Sequence, residues 1–483
     1  MNPSKKKESK KEMPPKKWQI KEEVSVDEVF NSLRWWGTFQ IWNSALWLFI
    51  TTALIGLALF ELVFPELAPN FSAISYGRLT AASSTALLYG FAFQSLMIIA
   101  IYSCAVSNKV RLNGGGLMFG SLTLWNIGVF VAVIAALAGD TTGYEWFELP
   151  YYSGTILFLA SSLFAIQLAL ILNNRSVERL HPSNWFWIIL FFGLLLLIVF
   201  SQIFFARFPI EGAGQILFHN WFKNLAFNVI IGGGIIGSLF YFVPMILQTE
   251  LYSRRLALCA FFGIAIFGGY GGLSLSMPLP RWVIEVNNMF YLFMIIPFLA
   301  VFINLFFTVK NRKSPNIGLR YLYLAIIFWG LYILTGLASV NTEVNKITEF
   351  TLYSAGRDYL LVLCATMFAL MGCAEVMLPQ FENKKSSLQF YIVLIGALIF
   401  SLSYLAGGFI QGANYYDYRV KFTDVIISIK PFMFAALLGC GILFVGALIF
   451  LYRRSAVAIS LIKTKLFQDD KIFNETTEQK IAD

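Results

Sequence analysis

Only two histidines occur in the 483 residues, His181 and His219. Each stands alone in its segment, and the segments lie on opposite sides of an apolar stretch about 30 Å thick. They cannot share a metal ion. The five cysteines, Cys104, Cys259, Cys364, Cys373 and Cys440, all fall inside apolar runs. They form no C-x-x-C pair and no haem-attachment motif, so packing accounts for them. Glu375 and Cys373 are close in sequence but lack further ligands at metal-binding spacing. No phosphate-loop, nucleophile-elbow or H-E-x-x-H pattern is present. The run Gly232-Gly233-Gly234 with Gly237 lies within an apolar stretch and reads as close helix packing. The remaining chemistry-bearing residues are few: Ser83, Ser84 and Thr85 opening an apolar run, Lys223 and Asn224 opening another, and Arg357-Asp358-Tyr359 opening a third.

The elements that carry them are membrane spans. Hydrophobic residues make up 58% of the chain and charged residues 13%, with mean hydropathy +0.69, against about 25% charged in soluble globules. Twelve apolar stretches are expected to cross the bilayer, at 41–64, 84–106, 115–138, 152–173, 184–205, 220–246, 255–273, 285–308, 318–340, 359–380, 389–410 and 430–452. Backbone buried in lipid satisfies its own hydrogen bonds, so each stretch is expected to be a helix. The fold class is an all-α polytopic membrane protein.

The net charge of +9 is distributed by side. Lysine and arginine crowd the segment 1–34, the even-numbered loops and the C-terminal tail, whereas "GDTTGYEWFELPYY" (139–152) has no cation. The positive-inside rule then puts both termini in the cytoplasm and argues against nucleic acid as a partner. Three regions are expected: a lysine-rich cytoplasmic tail 1–35 that is not a signal peptide, a membrane domain 36–453, and a cytoplasmic tail 454–483. Lipid is the first partner implied. Lys223 and Glu285, near span ends, are expected to snorkel to the outer interface. No acid–base chain crosses the apolar interior, so coupled proton pumping is unsupported.

Four stretches carry a resemblance: "YGRLTAASSTALLYGFAFQ" (76–94), "WFKNLAFNVIIGGGIIGSLFYFVP" (221–244), "LYSRRLALCAFFGIAIFGGYGGLSLSMPLPRW" (251–282) and "GRDYLLVLCATMFALMGCAEVMLP" (356–379). Together they resemble subunit I of the haem-copper oxidase superfamily, closest to the cbb3-type cytochrome c oxidases and nitric oxide reductases. The resemblance implies a twelve-helix bundle of the cytochrome c oxidase subunit I type, carrying two haems and one copper held by six histidines, and a place among respiratory-complex subunits in the bacterial inner membrane. At the implied haem-ligand positions this chain has Ser83, Arg357 and Tyr359. At the implied copper-ligand positions it has Asn224, Gly271 and Gly272. The implied redox tyrosine falls near Gly268, two residues from Tyr270.

Serine and glycine do not replace imidazole on haem iron or copper, and asparagine does so poorly. Tyr359 has a phenolate that can bind haem iron, but a tyrosine at a helix end is more often an interfacial anchor. From the missing ligands we expect no cofactor, no catalytic residue and no metal, and a non-catalytic accessory or structural subunit of a respiratory complex. An oxidase or nitric oxide reductase with atypical ligands is the alternative. A transporter or channel reusing the vacated space, lined by Ser83, Ser84, Thr85, Asn224, Asn228 and Arg357, is a third. Arg357 and Asp358 are expected either to pair inside that space, with Leu360, Leu361, Tyr270 and Phe227 filling the rest, or to be solvated. His219 is expected to be an exposed loop histidine.

Overall fold

A computed structural model describes residues 26–482 apart from 68–70, 113–114, 275 and 379–383. Most of the lysine-rich tail and Pro379 therefore lie outside the described residues. Among those described, eleven helices are long and apolar enough to cross a membrane. In chain order, with one shorter helix included, they are α1 (Ser32–Val63), α2 (Tyr76–Ser107), α3 (Gly115–Ala138), α4 (Tyr151–Asn173), α5 (Pro182–Arg207), α6 (Ala213–Ile246), α7 (Arg254–Phe267), α8 (Arg281–Val309), α9 (Ile317–Ala338), α10 (Leu352–Met377), α11 (Ser387–Tyr416) and α12 (Phe422–Lys463). The helix that includes α12 continues to Ala482.

Eleven of the twelve expected stretches form these long apolar helices; the twelfth, 255–273, holds the shorter α7. This helix has 14 residues and is about 21 Å long at 1.5 Å per residue, short of a full crossing. Ser253 caps its start, the side chain accepting from the Leu256 N–H. Its end is set by glycine. Gly271 and Gly272 hold φ of +110° and +73°, left-handed values open to glycine and costly for other residues, so the expected span 255–273 turns into loop at Gly268. Hydropathy alone runs through such a break.

Three helices form the centre. Every residue in the most apolar window of α2 is buried, with 89% in α10 and 83% in α6, against 39–56% for the other spans. These three also depart from α geometry, with π-helical stretches at Ala86–Phe93, Leu225–Gly232 and Leu360–Ala365. A π turn carries an extra residue and shifts the face that each helix presents. The glycines expected to allow close packing do so. A Cβ on Gly234 would stand 2.9 Å from Leu96 of α2, and one on Gly237 would stand 3.0 Å from Phe186 of α5.

At the C-terminal end of α10, Glu375 receives Arg453 at 2.9 Å and Arg454 at 2.7 Å, both from α12. Arg454 is fully buried, its guanidinium 5.0 Å from the centre of the Phe450 ring. One carboxylate thus ties the last helix to the central one. Four of the five cysteines are buried and all are free; Cys259 is exposed.

Candidate functional site

The three groups of candidate residues meet near the N-terminal ends of α2, α6 and α10, and a loop joins them there. Residues 139–150, between α3 and α4, fold inward and insert Trp146. Its indole N–H donates to Asp358 Oδ2 at 3.2 Å. Its ring meets Phe227 edge-on at 5.1 Å and Tyr359 at 6.3 Å. Its carbonyl accepts from the Tyr89 hydroxyl at 3.3 Å. Trp146 has φ of +68°, a conformation that a bulky residue holds only when its surroundings fix it. Nothing in the sequence reading singled out Trp146. The available signal was the apolar trio Trp146, Phe147 and Leu149 inside a loop; all three are buried.

Asp358 is 2% exposed and its partner is Lys223, with Nζ 2.6 Å from Oδ2. Two expectations are corrected here. Lys223 does not snorkel outward, because about three turns into α6 it faces the buried carboxylate of α10, with Glu145 of the inserted loop 3.6 Å away. Arg357 does not pair with Asp358 either. Its guanidinium lies over the Tyr332 ring of α9 at 5.0 Å, a stacked arrangement that suits the planar, weakly hydrated group. Glu285 is exposed and pairs with Arg281 at 2.7 Å. Tyr359 is packed inside, against Phe400 and Tyr404 at 5.2 and 5.3 Å, and is not an interfacial anchor. Leu360, Leu361 and Phe227 are buried as expected. Tyr270 instead stacks on Phe290 of α8 at 4.8 Å, half-buried. His219 lies within α6, where its Nε2 hydrogen-bonds the Glu145 carbonyl at 2.8 Å. It anchors the inserted loop and is not an exposed loop residue.

The serines of α2 serve different ends. Ser83 donates to its own helix at the Thr80 carbonyl, 2.9 Å away. Ser84 donates to Glu148 Oε2 of the inserted loop at 2.8 Å. Glu148 is buried, and burial pushes its carboxyl up to about 8, with the Ser84 hydrogen bond pulling the other way. A carboxyl raised in the folded protein above its unfolded value near 4.5 stays protonated in the fold while the unfolded chain ionises. Stability is therefore greatest below that unfolded value, falls as pH rises from there to about 8, and is lowest above it. In detergent, the wild-type unfolding temperature is expected to be lower at about pH 9 than at about pH 6, and Glu148→Gln to flatten that difference.

On the other side of the site, asparagines bind the glycine loop. The Asn224 amide donates to the Gly271 carbonyl at 2.9 Å, and Asn228 donates to Gly268 at 2.9 Å. The Tyr332 hydroxyl donates to Asn228 Oδ1 at 3.0 Å, and the Gly271 N–H donates to Asn287 Oδ1 at 3.2 Å. The Gly272 carbon stands against Asn220, whose Oδ1 would lie 2.6 Å from a Cβ there. Between these groups is a cavity of ≈ 130 Å³ that reaches Lys223, Asn224, Gly272, Arg357 and Asp358. Cofactor and ligand pockets are usually about 300–1,000 Å³. Ser83, Ser84 and Thr85 do not line this cavity, so the polar path imagined for a transporter is divided.

A family model described as Cytochrome C and Quinol oxidase polypeptide I matches residues 36–442. The chain belongs to this family. Among its relatives, the cytochrome c oxidase subunit 1 homolog, bacteroid, of Bradyrhizobium diazoefficiens is 22% identical over 424 residues, covering 81% of this chain and 76% of the relative. The Cbb3-type cytochrome c oxidase subunit CcoN1 of Stutzerimonas stutzeri is 21% identical over 431 residues, covering 82% of this chain and 90% of the relative. A solved heme-copper terminal oxidase dimer shares the fold, with TM-score 0.68 at 14% identity over 87% of this chain and 84% of that one. Multiple apolar helices and these bacterial relatives make the chain a multi-pass bacterial membrane protein of the respiratory oxidase family.

One expectation falls with this membership. No cofactor was expected, yet the family is that of the haem-copper oxidases, which carry haems and copper. Family membership points to those groups, and the expectation of none is withdrawn. Which side chains would hold them is a separate matter. Among the described residues no group of three His, Cys, Asp or Glu is placed to hold a metal. Trp146 and the Lys223–Asp358 pair stand among α2, α6 and α10, beside the positions named by the resemblance. These residues do not fit the six-imidazole set that the resemblance implies, and no chemical step is derived through it.

Proposed function

We propose that this chain is a non-catalytic accessory or structural member of the oxidase subunit I family, held in the bacterial inner membrane as part of a respiratory complex. In this reading the bundle spans residues 36–453, and the glycine loop completes the twelfth crossing that the 14-residue α7 alone does not make. Both tails lie in the cytoplasm, as the cation bias suggests. Ser83, Arg357 and Tyr359 stand at former haem-ligand positions, and Asn224, Gly271 and Gly272 at former copper-ligand positions.

The observation that carries this reading is the role of Asp358. It lies between Arg357 and Tyr359 in sequence, and its carboxylate is buried against Lys223 at 2.6 Å and Trp146 at 3.2 Å. A buried ion pair survives only with such partners. The polypeptide has built structural bonds at a place where the resemblance implies ligands. The groups here join α6 to α10 and the inserted loop to both, which is what a scaffold requires.

The test is made in native membranes with tagged full-length protein. Respiratory-complex subunits are expected to co-purify with it. Deleting its gene is expected to lower the amount of assembled complex while turnover per assembled complex is kept. Isolation of the chain alone, with complex abundance unchanged on deletion, would refute the accessory role.

A further inference from the structure

Two opposite charges face the same small cavity without meeting. Arg357 and Glu349 both line the ≈ 130 Å³ space at the N-terminal end of α10. Neither takes part in any ion pair among the described residues. The Arg357 Nε is buried with no hydrogen-bond partner, and so is Glu349 Oε1. The other Glu349 oxygen is fixed by Ser276, which donates at 3.1 Å. Arg357 is fixed on the Tyr332 ring. A glycine at 336 leaves room beside the guanidinium, since a Cβ there would stand 3.3 Å from the Arg357 Cζ and would collide with the Tyr291 hydroxyl. That hydroxyl is also buried without a partner.

Arg357 and Glu349 are both half-buried, and charged atoms that are shielded from water favour opposite charge and hydrogen bonds. Lys223 pairs with Asp358 on the cavity wall and with Glu145 behind it, which leaves one guanidinium and one carboxylate among the charged side chains that line the cavity. A ligand that answers both carries a carboxylate and an ammonium on one small frame. A guanidinium matches a carboxylate with paired N–H donors, and a carboxylate oxygen takes an ammonium. The walls also include polar side chains, among them Asn345, Ser339 and Tyr353, and the volume excludes a large side chain. We infer that this cavity is a binding site for a small zwitterionic amino acid of glycine size, with its carboxylate on Arg357 and its ammonium on Glu349. The site does not depend on the accessory role proposed above.

Direct binding of radiolabelled glycine to the purified full-length protein tests the site, with acetate and methylamine as single-charge competitors. Wild type is expected to bind glycine saturably, with acetate competing about tenfold or more weakly and methylamine more weakly still. Glu349→Gln is expected to weaken glycine about tenfold, towards acetate, while acetate binding is kept. Arg357→Gln is expected to abolish both; if that variant does not fold, Glu349→Gln decides. Absence of saturable glycine binding to wild type overturns the proposal, as does equal competition by acetate and glycine, or a Glu349→Gln protein that still prefers glycine.

Discussion

Lys223→Met is expected to destabilise the protein by about 3–5 kcal/mol, the usual cost of removing one partner from a buried ion pair. Asp358 is 2% exposed, and without the ammonium its carboxylate keeps only the Trp146 N–H among the hydrogen bonds described. The alternative is protonation, which also costs free energy at neutral pH. Removing both charges is different. In Lys223→Met/Asp358→Asn, the amide can still accept from Trp146, and most of the loss is expected to be recovered. Replacing a whole buried pair is often nearly neutral, whereas halving it is not. Denaturant unfolding in detergent measures all three variants. The surface pairs Arg281–Glu285 and Lys346–Glu343 serve as controls, with expected losses far smaller than that of Lys223→Met because solvent screens exposed pairs. If Lys223→Met behaves like those controls, the pair is not buried as described.

Trp146→Ala is expected to cost a similar about 3–5 kcal/mol, since it empties a site filled by a large buried ring. The ring has Phe227 and Tyr359 for neighbours and 3% exposure. Its loss also removes a hydrogen bond to Asp358. The backbone at Trp146 is held at positive φ by these contacts, so their loss is expected to free the loop 139–150 as well. Limited proteolysis reads that second effect, with cleavage in the loop faster in Trp146→Ala than in wild type. Trp146→Phe keeps an aromatic ring and loses the donor, and is expected to cost about 1–3 kcal/mol. A stable Trp146→Ala protein with a protected loop would show that the loop is held by other contacts.

Much of the bundle was legible because lipid imposes few solutions. A run of twenty apolar residues with no partner for its backbone must be a helix, and eleven of the expected stretches are long helices. The exception, α7, contained its own warning. Gly268, Gly269, Gly271 and Gly272 are apolar enough to extend a hydropathy window yet end the helix by their backbone freedom. The family was legible through residues that shape packing, such as Gly234 and Gly237, whose contacts leave no room for a side chain. The site was only half legible. Lys223 lies one turn into a span, and sequence position does not say whether such a lysine turns to the interface or inward. Its direction is set by Asp358, 135 residues later in the chain. Trp146 was hidden for a related reason, because a loop between spans is ordinarily read as surface and its burial depends on three helices that lie elsewhere in the sequence. The serines show the limit of a resemblance: it directed attention to Ser83, while the neighbour Ser84 makes the contact across the site.

Oxygen uptake by the purified full-length protein, supplied with a reduced electron donor, tests the non-catalytic role most directly. Uptake no faster than the donor's own autoxidation is the predicted result. Uptake that scales with protein concentration at about 1 s⁻¹ or more, within the ordinary range of enzyme turnover, would contradict it.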